Sequence, residues 1–166
     1  MAKTMFGENE AHTVGELPAI GSEAPEFTLV DADLGERSLS EFRGKKVVLS
    51  IFPSVGTGVC QAALRRFNEL AAGKGNTVVL CISADLPFAA KQFCAAEGIE
   101  NVITLSVYRS AEFGDRYGVR LLDSPFAGLL ARSIVVVDES GKVTYTELVP
   151  ATGQEPDYDA AMAALS

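Results

Sequence analysis

Short apolar runs that alternate with helical patterns constrain the fold of this chain most strongly. Lys46–Phe52 and Thr77–Ser83 are rich in valine and isoleucine and have the length of buried strands, far below the roughly 20 residues of a membrane-spanning helix. Between them, Val59–Ala72 carries apolar residues at helical spacing, and Gly73 follows it. Ser133–Val137 is a further strand. Alternating strands and helices of this kind predict an α/β protein.

The remaining elements are predicted from turn residues and apolar spacing. Asp85 is a candidate N-cap for a helix over Phe88–Glu97, with Pro87 in the first turn and Gly98 at the end. The other predicted elements are the strands Phe27–Leu29, Val102–Leu105 and Val143–Val149 and the helices Ala111–Tyr117 and Pro156–Leu165.

The order of these elements predicts a central mixed β-sheet flanked by helices, in a thioredoxin-like arrangement. With 166 residues, 48% of them hydrophobic, the chain suits one globular domain over 1–166. Residues 1–25 are expected to form an N-terminal extension. It contains a predicted β-hairpin with strands Thr4–Phe6 and Thr13–Val14 around Gly7–Asn9.

The net charge limits the kinds of partner that the chain can bind, and the N-terminal sequence bears on its location. The net charge of -8 and the pI of 4.7 argue against binding to nucleic acid, which needs clustered lysine and arginine, and against binding to an anionic membrane. Met1–Gly15 lacks the basic and apolar regions of a signal peptide, so a cytoplasmic location is expected.

The chain has three cysteines, Cys60, Cys81 and Cys94, and a single histidine, His12. This odd, small number of cysteines, without a C-x-x-C pair, is not typical of a disulfide scaffold. One histidine also makes a zinc site or a Cys–His protease pair difficult to build. Together, these absences argue against a disulfide scaffold, a structural zinc site and a Cys–His protease.

Cys60 follows a strand and a glycine-containing loop, at the start of the helix predicted over Val59–Ala72. Unpaired backbone N–H groups and the helix dipole both favour a thiolate there, and the thiolate is the nucleophilic form of cysteine. Thr57 offers a hydroxyl to the sulfur or to an approaching oxygen, and Pro53 stiffens the start of the loop.

These residues resemble a known family. Pro53-Ser54-Val55-Gly56-Thr57-Gly58-Val59-Cys60 fits the P-x-x-x-T-x-x-C motif of peroxiredoxins. The stretches IFPSVGTGVCQAALRRFNELAA, NTVVLCISADLPFAAKQFCAAEGIENVITLS and GLLARSIVVVDESGKV are similar to the bacterial thiol peroxidase subfamily, whose members are atypical two-cysteine peroxiredoxins. The likeness extends over residues 21–165.

The resemblance implies a reaction and roles for matching residues. The activity would be thiol-dependent reduction of hydrogen peroxide or alkyl hydroperoxides, with Cys60 as the peroxidatic cysteine and Cys94 as the resolving cysteine. Thr57, Pro53 and Arg132 match residues of the family's peroxide pocket, and a guanidinium offers several donors to negative charge on oxygen. The family also implies thioredoxin as reductant, a homodimer, and no metal or organic cofactor.

The chain departs from the subfamily at one position near the site. Gly56 stands where the subfamily usually carries aspartate before the motif threonine. Glycine gives this loop more backbone freedom and removes a carboxylate that could contact a neighbour. The assignment of Cys60 does not depend on it, but the rigidity of the loop and the contacts between subunits do.

The two other cysteines have different expected roles. A disulfide between Cys60 and Cys94 requires their Cα atoms to lie within about 7 Å of each other. Two cysteines on separate helices need not lie that close in the reduced state, so we expect the helix over Phe88–Glu97 to unwind or shift on oxidation. Cys81 lies within an apolar strand and is expected to be an inert core residue.

Three alternatives use the same residues differently. They are a thiol-based redox sensor, a general disulfide oxidoreductase, against which the missing C-x-x-C argues, and a thioredoxin-like scaffold without thiol chemistry. The preferred peroxide is also open. Apolar residues such as Phe52, Leu122 and Phe126 suit either an organic tail or the core.

Overall fold

A seven-stranded sheet lies at the centre of the computed structural model, which describes residues 1–166. A separate two-stranded hairpin precedes it. The strands are β1 Lys3–Phe6, β2 Asn9–His12, β3 Thr28–Asp31, β4 Glu36–Ser38, β5 Lys46–Ile51, β6 Thr77–Ser83, β7 Ile103–Ser106, β8 Ser133–Val137 and β9 Val143–Leu148. The helices are α1 Gly58–Ala71, α2 Pro87–Glu97, α3 Glu112–Arg116 and α4 Tyr158–Ala163, with a 3₁₀ helix at Leu39–Phe42.

The central sheet is mixed, as predicted. Its strand order is β4-β3-β7-β6-β5-β8-β9. β5, β6 and β7 are parallel, whereas β8 runs antiparallel to β5. The carboxyl ends of β5, β6 and β7 therefore share one edge of the sheet with the amino end of β8, and we call this the carboxyl edge.

The two faces of the sheet are covered by different helices because successive side chains of a strand point to opposite faces. On one face, Leu49 of β5 and Ile82 of β6 are buried in a cluster with Phe113 of α3. On the other face, a second cluster contains the β6 residue Cys81 and residues of α1, α2 and α4. Cys60 belongs to this second cluster.

Most predicted elements are present, with ends that differ from the predicted ends by no more than two residues. The second strand of the N-terminal hairpin is an exception, because it spans Asn9–His12 instead of Thr13–Val14. Gly7 adopts a positive φ of 61°, so the chain reverses in two residues and Phe6 pairs with Asn9. Thr13 forms an isolated bridge with Leu121 instead.

Two elements were absent from the sequence-based prediction, β4 and the 3₁₀ helix after it. β4 is three residues long and polar, so it lacks an apolar signal. The carboxylate of Glu41 accepts a hydrogen bond from the backbone N–H of Ser38 at 2.9 Å and so ties the 3₁₀ helix to the end of β4.

None of the helices has the length and apolar character that a membrane crossing requires.

Candidate active site

Cys60 is the third residue of α1 and lies at the carboxyl edge of the sheet. β5 ends at Ile51, and the loop Phe52–Thr57 turns the chain into the helix. The Cys60 side chain is fully buried, with 0% exposure, in the apolar cluster beneath α1. Its position at the helix N-terminus is the one predicted from the sequence, and the structure adds an apolar surrounding for the thiol.

Thr57 is the N-cap of α1. Its Oγ1 accepts a hydrogen bond from the backbone N–H of Cys60 at 3.4 Å and donates one to the carbonyl of Ser54 at 3.2 Å. The hydroxyl proton is therefore directed at the loop backbone, while one lone pair of Oγ1 remains for a further donor. Thr57 holds the loop and the helix start together at the cysteine.

Asp85 organises the loop before Cys60, a role that the sequence analysis missed. Its prediction as N-cap of α2 is wrong, because the N-cap is Leu86 and α2 has no side-chain cap. The Asp85 carboxylate instead accepts hydrogen bonds from Ser54 Oγ at 2.7 Å, from the backbone N–H of Val55 at 2.8 Å and from Ser83 Oγ at 2.7 Å. The parallel pairing of Ile51 with Ile82 places Asp85 beside this loop, a contact between distant segments that no local sequence pattern indicates.

The register of β5 and β8 brings Arg132 to the same edge. Ser133 pairs with Ile51, so Arg132 precedes β8 where the Cys60 loop leaves β5. The Arg132 side chain is buried, with 4% exposure. Its Nη2 donates to the carbonyl of Thr152 at 3.0 Å, whereas Nε and Nη1 are buried without any hydrogen-bond partner.

Unpaired donors on a buried cation are unfavourable, because each has lost its hydrogen bonds to water. Arg132 therefore has two donor nitrogens, Nε and Nη1, to offer to an acceptor that the protein itself does not supply. An anionic or strongly polar ligand atom at the carboxyl edge would satisfy them.

Cys94 lies in the last part of α2 and is half-buried against the apolar cluster that contains Cys60 and Cys81. The three cysteines carry free thiols in this structure. Burial raises the pKa of the Cys94 thiol above its ordinary value, because a thiolate is poorly solvated there.

Cys81 is buried at 1% exposure in β6. Burial is the main cause of a strongly raised pKa of its thiol, and the neighbouring Cys94 adds to it. This thiol is kept neutral and out of contact with solvent, which agrees with its prediction as a core residue.

The other residues singled out near the site have mixed surroundings. Pro53 is buried at the start of the loop, and Gly56 is exposed. A Cβ at Gly56 would lie 3.3 Å from Ser54 Oγ, the group that contacts Asp85. Phe52 is a core residue at 2% exposure, and Leu122 is exposed at 42%.

Phe126 packs edge-on against Phe6 of the hairpin.

Known proteins resemble the chain over its whole length. The sequence profile described as Redoxin matches residues 19–162. The thiol peroxidase of Corynebacterium glutamicum is 59% identical over 166 residues, which cover 100% of both chains. The thiol peroxidase of Mycobacterium tuberculosis is 58% identical over 165 residues, 99% of each chain.

Among solved structures, a peroxiredoxin-like protein from Aquifex aeolicus superposes with a TM-score of 0.94 at 34% identity, over 99% of this chain and 96% of that one. This confirms the predicted thioredoxin-like fold and the resemblance to peroxiredoxins. The chain belongs to the redoxin family, together with these thiol peroxidases.

Proposed function

We propose that this protein is a thiol-dependent peroxidase in which Cys60 attacks the hydroperoxide. The observation that carries the proposal is the pair of unpaired Arg132 donors at the edge of the sheet where Cys60 lies in the first turn of α1. An enzyme that cleaves an O–O bond must stabilise negative charge on the departing oxygen. Arg132 Nε and Nη1 are donors suited to that charge.

In the first step, the Cys60 thiolate attacks the terminal oxygen of the hydroperoxide. The O–O bond breaks, Cys60 becomes a sulfenic acid, and the alkoxide or hydroxide takes up a proton to leave as alcohol or water. The free lone pair of Thr57 Oγ1 can accept the O–H of the bound hydroperoxide, while Arg132 donates to its oxygens. Pro53 keeps the start of the loop rigid.

In the second step, the thiol of Cys94 condenses with the sulfenic acid. The S–S bond forms, and the sulfenic oxygen leaves as water together with the proton of the thiol. Cys94 suits this role because it packs against the same apolar cluster as Cys60. Its raised pKa keeps it protonated, so it does not compete with Cys60 as a nucleophile at neutral pH.

In the third step, an external dithiol reduces the Cys60–Cys94 disulfide by thiol–disulfide exchange and becomes oxidised itself. A dithiol protein of the thioredoxin type is the proposed reductant. Such exchange requires a reducing compartment, for which the cytoplasm is the proposed location.

We also propose a homodimer that covers the carboxyl edge. Leu86, at the junction of β6 and α2, is 53% exposed, and Phe88 at the start of α2 is 64% exposed. Tyr108, just after β7, is 45% exposed. Three large apolar side chains exposed near one edge are a candidate interface.

The decisive experiment maps thiols after treatment of the reduced protein with one equivalent of hydroperoxide. Peptide mass spectrometry should find a Cys60–Cys94 bond with Cys81 still reduced. NADPH-coupled turnover with thioredoxin and its reductase should be lost in Cys60→Ser and retained in Cys81→Ser. Oxidation without turnover would favour the sensor hypothesis, and an unmodified Cys60 would contradict the site assignment.

A further inference from the structure

The N-terminal hairpin contacts the segments that surround Arg132, although the hairpin lies far from Arg132 in the sequence. The Arg132 side chain has one hydrogen bond within the protein, from Nη2 to the carbonyl of Thr152. The position of that carbonyl therefore decides in which direction the two unpaired donors point. Thr152 lies on the segment that follows β9, outside any helix or strand of the central sheet.

The first strand of the hairpin, β1, holds this segment in place. The backbone N–H of Met5 donates to the carbonyl of Pro150 at 2.9 Å, and the N–H of Thr152 donates to the carbonyl of Met5 at 2.8 Å. Thr4 is buried, and its Oγ1 donates to the carbonyl of Val149 at 2.9 Å. Residues 149–152 are thus fixed by β1 at three points.

The backbone of Arg132 is linked to the same segment. Its carbonyl accepts a hydrogen bond from the N–H of Val149 at 3.0 Å. Val149 therefore links the two residues: its N–H donates to the carbonyl of Arg132, and its carbonyl accepts from the hydroxyl of Thr4. A shift of β1 moves the main-chain partner and the side-chain partner of Arg132 together.

The second strand, β2, packs against the residue that precedes Arg132. Ala11, Leu121 and Ala131 form a small cluster in which each residue has 0% exposure, and Ala131 directly precedes Arg132. The N–H of Leu122 donates to the carbonyl of His12 at 2.8 Å. The hairpin therefore contacts both the residue before the arginine and the segment that holds its side chain.

We infer that the N-terminal hairpin is a positioning element for Arg132, and that Thr4 is its main positioning residue. The Thr4 hydroxyl holds residues 149–152, whose Thr152 carbonyl aims the guanidinium at the reacting oxygen atoms. The inference rests on the role of Arg132 given under Proposed function. Thr4 belongs to the hairpin and acts through Arg132 without contact with the substrate.

The test is a double-mutant cycle between Thr4 and Arg132 that follows the rate constant for oxidation of Cys60 by peroxide. Thr4→Val keeps the shape of the side chain and removes the donor to Val149. We expect the rate constant to fall about threefold to tenfold in the wild-type background and less than twofold in the Arg132→Lys background, because coupled residues are not additive. Thr4→Ser retains the donor and should react within about twofold of the wild type.

Thr144→Val is the matched control, because it also removes a threonine donor to a strand carbonyl, that of Val136 at 3.3 Å, away from Arg132. Its rate constant should be unchanged. If Thr4→Val fails to fold, as checked by circular dichroism, Thr4→Ala removes the same hydroxyl without adding a buried methyl group and carries the same expectation.

Two results would overturn the inference: equal falls in both Arg132 backgrounds, or an unchanged rate in the Thr4 variants that lack the hydroxyl. A different result tests the proposed function separately. If Arg132→Lys alone leaves the rate constant unchanged, the role of Arg132 fails, whatever the hairpin does.

Discussion

The side chain of Asp85 organises the loop that precedes Cys60. Its carboxylate accepts hydrogen bonds from two serine hydroxyls and from the N–H of Val55 in the Cys60 loop. Ser106 Oγ also donates to its backbone carbonyl, so the ends of β6 and β7 and the loop after β5 meet at this residue. Its removal should therefore disturb the loop more than the sheet.

We predict that Asp85→Asn destabilises the fold by about 1–3 kcal/mol, because the new NH₂ group faces donors and cannot accept their hydrogen bonds. Oxidation of Cys60 by peroxide should also slow. Urea unfolding and peroxide kinetics measure the two effects. Asp33→Asn is the control, because Asp33 is an exposed partner of Lys91, and a variant at Asp85 that behaved like it would contradict the prediction.

Cys94 gives a prediction about pH. Burial raises its pKa, so its thiolate appears only as pH rises beyond the ordinary thiol range, near 9. Alkylation of Cys94 by iodoacetamide in the native protein should thus be slow at neutral pH and still increase above pH 9. Peptide mass spectrometry across a pH series would show this, with buried Cys81 unmodified as the internal reference. A plateau in Cys94 alkylation below about pH 8 would rule out the raised pKa.

At the scale of the element, α2 is the part of the site that is least firmly held. Only Pro87 and Ala90 of its residues are buried, and its N-terminus lacks a side-chain cap. It is attached to α1 by the Arg65–Glu97 ion pair and by Arg65 over the ring of Phe93 at 5.6 Å, contacts that lie near the solvent. Elements with few buried contacts open at low free-energy cost.

We predict that formation of the Cys60–Cys94 disulfide unwinds or shifts α2, so that amide exchange over Phe88–Glu97 becomes at least about tenfold faster. Exchange measured by mass spectrometry on reduced and oxidised protein tests this. Cys94→Ser treated with peroxide is the control, because it forms no disulfide and should leave the exchange unchanged. Equal protection of α2 in both states of the wild type would refute the prediction.

The sequence was informative about elements where one physical signal dominates. The limits of β6 and β8 were predicted correctly because Thr77–Ser83 and Ser133–Val137 are continuous apolar segments. The start of α1 was predicted at Val59, one residue after its observed start at Gly58, because helical spacing of apolar residues begins there; the capping role of Thr57 was not predicted. Asp85 was misassigned because an aspartate before a proline has the same local pattern whether it caps a helix or binds a neighbouring loop.

Contacts between distant segments could not be predicted from local patterns. That Arg132 is brought to the Cys60 loop depends on the register between β5 and β8, and no local pattern in either strand fixes that register. Arg132 was assigned to the site only by resemblance to a family. The hydrogen bonds by which β1 holds residues 149–152 were not predicted, because nothing in the short strands of the hairpin indicates which distant segment they pair with.

At the scale of the whole molecule, the exposed apolar side chains at the carboxyl edge predict the assembly state. We expect a dimer in sedimentation velocity experiments and expect Phe88→Glu to weaken it about 30-fold, which corresponds to about 2 kcal/mol for a buried aromatic contact. Ile20→Glu is the control. Ile20 is 65% exposed but precedes Gly21, which hydrogen-bonds Val143 at the opposite edge of the sheet. A monomeric wild type would contradict the proposed interface.

The way the hairpin is attached also sets the order in which the molecule can be completed during synthesis. Thr4 forms a hydrogen bond with Val149, 145 positions away in the sequence, and His12 forms one with Asp123, 111 positions away. Contacts of such long sequence separation form late, because the intervening chain must be ordered first. The strands of the hairpin are therefore among the last elements of the fold to find their partners. A nascent chain that ends before residues 149–152 lacks the segment that aims Arg132, so peroxide reactivity should appear only after that segment has been synthesised and has docked on the hairpin.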